Sequence, residues 1–227
     1  MDKFGYIGID ILMLPFWLLL FIQVGKPVKK TIIKHGFYGG IIAIFTEHIF
    51  LKDYWAPPPF IGIEGFYAIE DFLYGFLIVG ISSALYDRIM FAQKAEIAQK
   101  QRIVSYLFVF LILGLFLLLS KQYGFNSTFV ISFALLVATV IMVWIRKDLL
   151  RKALISGLLL TVILFVVYVI LFNLFLPSWW YRYWLLADSP YAYYLFGIPW
   201  IEYVWYFSLG AFMSIISDFS HGQGQIA

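Results

Sequence analysis

The sequence predicts an all-α, polytopic membrane protein: seven transmembrane helices, arranged as two parallel three-helix repeats joined by a linker helix. Three observations lead there. Of the 227 residues, 63% are hydrophobic, 21% aromatic and only 13% charged, against roughly half apolar and a quarter charged in ordinary soluble chains. A soluble domain of this size keeps roughly 30% of its unfolded-chain surface in water, too much for this composition, so the solvent for most of the chain is lipid. Apolar runs able to cross a hydrocarbon core about 30 Å thick recur seven times, at about 4–24, 31–52, 66–90, 103–120, 127–145, 153–176 and 197–217. The third and seventh of these runs repeat one pattern in register.

The first run carries Asp10 and Pro15 and lacks a small-residue cleavage site, so it is read as a retained helix, not a cleaved signal. The second begins among Lys26, Lys29, Lys30 and Lys34. It contains Gly36-Phe37-Tyr38-Gly39-Gly40, a small-residue spacing suited to close helix packing. With the N-terminus on side one, the loops of side two hold those four lysines with Arg88, Lys94, Lys100, Arg102, Arg146, Lys147, Arg151 and Lys152, twelve of the 16 basic residues. The excess of basic residues on one side puts the N-terminus outside and the C-terminus in the cytoplasm. Basic residues sorted by loop parity are orientation signals, so the net charge of +3 is not read as a nucleic-acid surface. The opposite loops, Tyr54-Trp55-Ala56-Pro57-Pro58-Pro59 and Trp179-Trp180-Tyr181-Arg182-Tyr183-Trp184, are consistent with an interfacial aromatic belt.

In the third run Asp71-Phe72-Leu73-Tyr74-Gly75-Phe76 lies over Glu202-Tyr203-Val204-Trp205-Tyr206-Phe207 of the seventh without a gap. Sixteen residues after each acid comes an aspartate, Asp87 and Asp218. Upstream of each copy is an aromatic, proline-bearing loop, and before it a run with a polar residue, Glu47 in the second and Asn173 in the sixth. The chain therefore divides into a first repeat at 1–102, a linker helix at 103–122 and a second repeat at 123–227. The first and fifth runs cross in the same direction, which makes the halves parallel copies with one shared cavity expected between them.

Ionisable groups within a span are functional candidates by default. Here they are Asp10, Glu47, His48, Glu70, Asp71 and Glu202, all toward the outer ends of their runs. Asp87 and Asp218 lie about 24 Å away by helical rise, close to water and, for Asp87, beside Arg88; both are read as structural. Asp71 and Glu202 open helices, where the macrodipole favours a carboxylate, but capping does not account for six groups together. Glu70 and Asp71 are about 100° apart and cannot both face one target. Glu47 and His48 diverge likewise, and no His-x-x-x-His spacing exists, so no metal site is expected. His48 is read as a partner for Asp10 or Glu47 or as an acid–base group. The chain has no cysteine, no G-x-G-x-x-G, no P-loop and no lysine in the seventh run, so no flavin, nicotinamide, phosphate or retinal site is expected. Asn126-Ser127-Thr128 fits a glycosylation pattern.

Phe45-Thr46-Glu47-His48-Ile49-Phe50, then Trp55 and its prolines, Gly62, and Ala68-Ile69-Glu70-Asp71-Phe72-Leu73-Tyr74 together resemble the signature of the integral-membrane lycopene cyclase domain family. That family shows an acid in its second span, a Trp loop, then Pro-aliphatic-Glu-Glu followed by aromatics. Its three-span halves are separate subunits in some bacteria and fused in archaea and fungi. This sequence departs at Ala68, where the family has proline, and at Pro199-Trp200-Ile201-Glu202, which lacks the first glutamate. Asn173 also stands where the first half has Glu47. The resemblance implies a redox-neutral carotenoid cyclase without a cofactor, converting the ψ ends of lycopene to ionone rings, β by expectation, through a carbocation. It implies catalytic roles for Glu70, Asp71, Glu202 and Glu47; Asp10, His48 and Asn173 are read beside them as supporting polar groups. A buried carboxyl group among aromatic rings stays protonated and can act as the acid, and a second carboxylate can receive the proton. Tyr74, Trp200, Tyr203, Trp205 and Tyr206 could line the substrate and stabilise the cation, at about 0.5–2 kcal/mol each. The implied partners are lycopene or a related linear carotenoid and the lipid of a bacterial or archaeal cell membrane, with a homo-oligomer left open. Alternatives are an ε-, γ- or long-chain carotenoid cyclase, a non-catalytic carotenoid binder, or a small proton-coupled transporter.

Overall fold

Backbone amides have no water to bond to inside a bilayer, so an apolar chain of this kind closes its hydrogen bonds within helices. In the computed structural model, residues 2–63, 67–90, 94–96 and 100–225 are described, and most of them are helical. Met1, and residue 66 where the third expected span begins, lie outside the described residues. The helices are α1 (Lys3–Gln23), α2 (Lys26–Asp53), α3 (Ile69–Ser82), α4 (Leu85–Ile89), α5 (Arg102–Leu117), α6 (Ser127–Ile145), α7 (Leu150–Tyr168), α8 (Trp179–Tyr183) and α9 (Trp200–His221). Helices α5 and α7 run on as π-helical turns over Leu118–Gln122 and Val169–Phe175.

Among the described residues, four segments are long and apolar enough to cross a membrane: Lys3–Gln23, Arg102–Gln122, Ser127–Ile145 and Lys147–Phe175. The other three expected spans fall on helices with a mixed character. Helix α2 has 28 residues and opens among lysines. Helix α3 has only 14 residues, about 21 Å of rise, before the chain turns through Ser83 and Ala84 and resumes as α4. Helix α9 has 22 residues but carries Glu202, Asp218 and several serines. The exterior is apolar, with Trp144 at 78% and Ile103 at 76% exposure.

Helix α2 packs on α3, and α7 on α9. The α2–α3 seam requires glycine: a Cβ at Gly36 would lie 2.7 Å from the Phe76 carbonyl oxygen, and one at Gly39 would lie 2.7 Å from that of Gly75. At the α7–α9 seam a Cβ on Gly157 would lie 2.8 Å from the Phe207 carbonyl oxygen. Asp53, the last residue of α2, holds the start of α6. Its carboxylate accepts from the Ser127 amide at 2.7 Å and hydroxyl at 2.5 Å, while Asn126 caps the same helix through the Thr128 amide at 3.1 Å. Asn126 thus serves as a cap whose own side-chain amide donates to the Asp53 carbonyl at 2.6 Å.

Among the described residues, three small antiparallel ladders close the ends of the bundle. Strands β1 (Gly62–Ile63) and β2 (Tyr67–Ala68) precede α3; β4 (Tyr194–Leu195) and β5 (Ile198–Pro199) precede α9; β3 (Lys94–Glu96) pairs with β6 (Gln223–Gln225). The β4–β5 turn has Phe196 at φ 52° and Gly197 at φ 77°, the two positive values of a type I′ hairpin. The aromatic loops meet as well, Trp55 pairing antiparallel with Trp184.

The end of the bundle that holds Asp87 and Asp218 is fastened by a cation. Lys152 bonds Asp87 at 2.6 Å and Asp218 at 2.7 Å, and all three side chains are buried. Its ammonium also lies 5.8 Å from the centre of the Tyr86 ring.

Candidate active site

At the other end, buried carboxyl groups gather around the two aromatic loops. Glu47 stands two turns before the end of α2, and the Trp55 indole donates to it at 2.8 Å. Tyr54, seven residues after Glu47 and so on the same helical face, donates its hydroxyl to Glu202 in the first turn of α9. Glu70 and Asp71, in the first turn of α3, do point apart. Asp71 accepts from the Tyr6 hydroxyl at 2.7 Å, whereas Glu70 accepts from the Phe60 and Ile61 amides at 2.5 and 3.2 Å. Asp10, one turn beyond Tyr6 on α1, is buried, and among the described residues neither of its oxygens has a hydrogen-bond partner.

A cavity of about 520 Å³ opens between α2, α3, α5, α6 and α9. Its wall is apolar over most of its length, with Ile42, Ala43, Ile78, Val79, Val109, Ile112, Leu135, Leu209 and Phe212. Among the described residues, Glu47 and Glu202 are the carboxyl groups that reach it. Tyr54, Tyr74, Tyr168 and Trp205 line the same end. The Tyr206 hydroxyl, behind the wall, bonds those of Tyr168 and Tyr74, the latter at 2.9 Å.

The residues singled out from sequence therefore separate. Glu47, Glu202, Tyr74 and Trp205 border the cavity; Asp71, Asp10 and Tyr206 stand behind it; Glu70 holds the loop before α3. Half-buried His48 sits beside Glu47 on α2, off the cavity wall. Trp200 donates to the Tyr191 carbonyl at 3.1 Å and Tyr203 to that of Leu195 at 2.7 Å, so both serve the loop before α9. Exposed Asn173 donates to the Phe196 carbonyl at 2.8 Å in the same hairpin. Sequence reasoning missed Tyr54, Tyr168 and Tyr6. Tyr54 was legible from its two-turn spacing to Glu47, and Tyr168 as the lone tyrosine of an aliphatic run.

Helices long and apolar enough to cross a membrane thus surround an apolar cavity with hydrogen-bonded carboxyl groups at one end, as a membrane protein would. Residues 126–219 match the family model described as lycopene cyclase. Neither curated proteins nor solved structures give a match. The matched stretch contains Tyr168, Glu202, Trp205 and Tyr206, while Asp10, Glu47, Glu70 and Asp71 precede it.

Proposed function

We propose that this protein is a carotenoid cyclase of the membrane that closes the ψ ends of lycopene into β-ionone rings. The observation that carries the reading is the convergence of Glu47 and Glu202, one from each half, on the same end of one apolar cavity. One of the two carboxyl groups protonates the terminal alkene, the neighbouring double bond attacks the tertiary cation to close the ring, and the other carboxylate takes a proton from the adjacent carbon. The product is an isomer of the substrate, with no net change in electrons. Tyr54 holds Glu202 and Trp55 holds Glu47, which fixes both acids without neutralising them. The rings of Tyr74 and Trp205, at the same end of the wall, face the developing cation.

The architecture that goes with this reading is seven membrane crossings in two parallel repeats about residues 103–122, with the N-terminus outside and the C-terminus in the cytoplasm. Several pairings support the repeat. Ala68 and Pro199, 131 positions apart, each end the strand that precedes an acid-bearing helix. Gly36 approaches the carbonyl of Phe76, and Gly157 that of Phe207, again 131 beyond Phe76. Trp55 pairs with Trp184, and Asp87 and Asp218 share Lys152.

The test is expression in a lycopene-accumulating bacterium, with the extracted pigments separated by chromatography and read by absorption. Conversion to a ring-bearing product is the expected result. Unchanged lycopene alongside protein shown to be folded in the membrane would overturn the reading.

A further inference from the structure

Three phenol hydroxyls meet behind the acid end of the cavity. Tyr206 of α9 bonds Tyr168 of α7 on one side and Tyr74 of α3 on the other, the latter at 2.9 Å. Tyr74 and Tyr168 belong to the cavity wall beside Glu202, whereas Tyr206, only 2% exposed, stands behind it. The two wall tyrosines are not equally held. Tyr168 is also braced by rings, with centres at 5.1 Å for Phe172, 5.5 Å for Trp180 and 5.6 Å for Tyr206 itself. Tyr74 has a more distant ring neighbour, Tyr6 at 6.5 Å, so its bond to Tyr206 is the firmer anchor. Glu202 precedes Tyr206 by one turn of α9, about 6 Å of rise. The acid and the hydroxyl that ties two wall rings together therefore share one stretch of helix, and Glu202 is held from α2 by Tyr54.

We propose that Tyr206 is a positioning residue that sets the ring type, by holding the rings of Tyr74 and Tyr168 in a fixed place relative to the carboxyl groups. The proposal rests on the cyclase reading above. One proton enters at the terminal alkene, one carbon–carbon bond closes the ring, and one proton leaves a carbon bonded to the cationic centre. The β, ε and γ rings are isomers that differ only in which of those carbons loses its proton. All the competing hydrogens surround one centre, so the choice follows from how the wall seats the closed ring against the base. Tyr206 does not itself border the substrate and acts through the two tyrosines that do.

The experiment uses the full chain in lipid vesicles with lycopene, the products being separated by chromatography and their ring types told apart by absorption and NMR. Tyr206→Phe keeps the ring and removes both hydroxyl bonds. The expected result is a shift of about tenfold in the ratio of ring types, equivalent to about 1.4 kcal/mol between competing barriers, with KM little changed. Tyr74→Phe should shift the ratio in the same direction, and adding it to Tyr206→Phe should shift it no further, because the two changes break the same bond. An unchanged ratio in folded, active Tyr206→Phe overturns the proposal, as do additive shifts in the double variant. Complete loss of cyclisation by folded Tyr206→Phe overturns it too, since a positioning residue redirects the reaction without being required for it. Should Tyr206→Phe not fold, Tyr74→Phe decides alone: a shifted ratio supports the proposal and an unchanged one overturns it. No cyclisation by the folded, inserted parent overturns the cyclase reading and this proposal with it.

Discussion

Asp71 and Glu202 at one end of the bundle are each followed, sixteen residues on, by Asp87 and Asp218 at the other, yet their partners differ. Asp87 and Asp218 close on the ammonium of Lys152. Asp71, Glu47 and Glu202 take bonds from Tyr6, Trp55 and Tyr54, which are neutral donors. The shared ammonium makes the trio a clamp, because all three side chains are buried and breaking a buried ion pair is strongly destabilising. A phenol or indole positions a carboxyl group while leaving it free to gain or lose a proton. The difference teaches that in this fold the partner, more than the acid, distinguishes a carboxyl group beside the cavity from one held in a clamp.

The largest effect is expected at the acid end. Glu202→Gln keeps an acceptor for Tyr54 but cannot transfer a proton, so cyclisation in vesicles should fall by about 10²–10⁴-fold, with thermal unfolding in detergent little changed. Retained activity would place the chemistry on another group. At the other end the effect should fall on stability: Lys152→Met removes the ammonium that bonds both Asp87 and Asp218, at a cost of about 3–5 kcal/mol. The combined change of Lys152→Met with Asp87→Asn and Asp218→Asn should recover most of the lost melting temperature. A single variant as stable as the parent would break the comparison. Tyr54→Phe should sit between, lowering turnover by about tenfold for the loss of one hydrogen bond worth about 1.4 kcal/mol, measured as initial rate at saturating substrate.

Much of the fold was legible because lipid imposes a simple rule: long apolar runs became helices, and the acids stranded in them gathered. The stripe Glu202, Trp205, Leu209, Phe212, Met213 and Ile216 on the cavity wall follows helical spacing, and reading it would have set Trp200 and Tyr203 apart from Trp205. The angle between Glu70 and Asp71 told that they diverge, but not which would meet a loop amide, since that depends on where residues 60 and 61 return. Lys152 was read as an orientation signal, because a basic residue at a helix end looks alike in sequence whether it faces water or two buried aspartates. Its partners are 65 and 66 positions away, and no local pattern reports a contact at that range.

The smallest effect belongs to a pair of contacts at the acid end that do face solvent. Asp2, just before α1, accepts from the Tyr183 hydroxyl and from Arg182, each at 2.9 Å, and so ties the start of α1 to α8. The hydrogen bond from Tyr183, followed by the charge of Arg182, holds the Asp2 carboxyl below its ordinary range. A carboxyl depressed in the folded state stabilises the fold fully at pH values above the ordinary carboxylate range, and that contribution is lost as pH falls through the folded-state value. Asp2→Asn should therefore lower the melting temperature slightly at neutral pH, and the two proteins should converge in acid. Added salt should shrink the neutral-pH difference, as for any exposed pair. A difference that persists unchanged into acid would mean that Asp2 acts through shape alone, and exposed charge would then drop out of what distinguishes this end from the one held by Lys152.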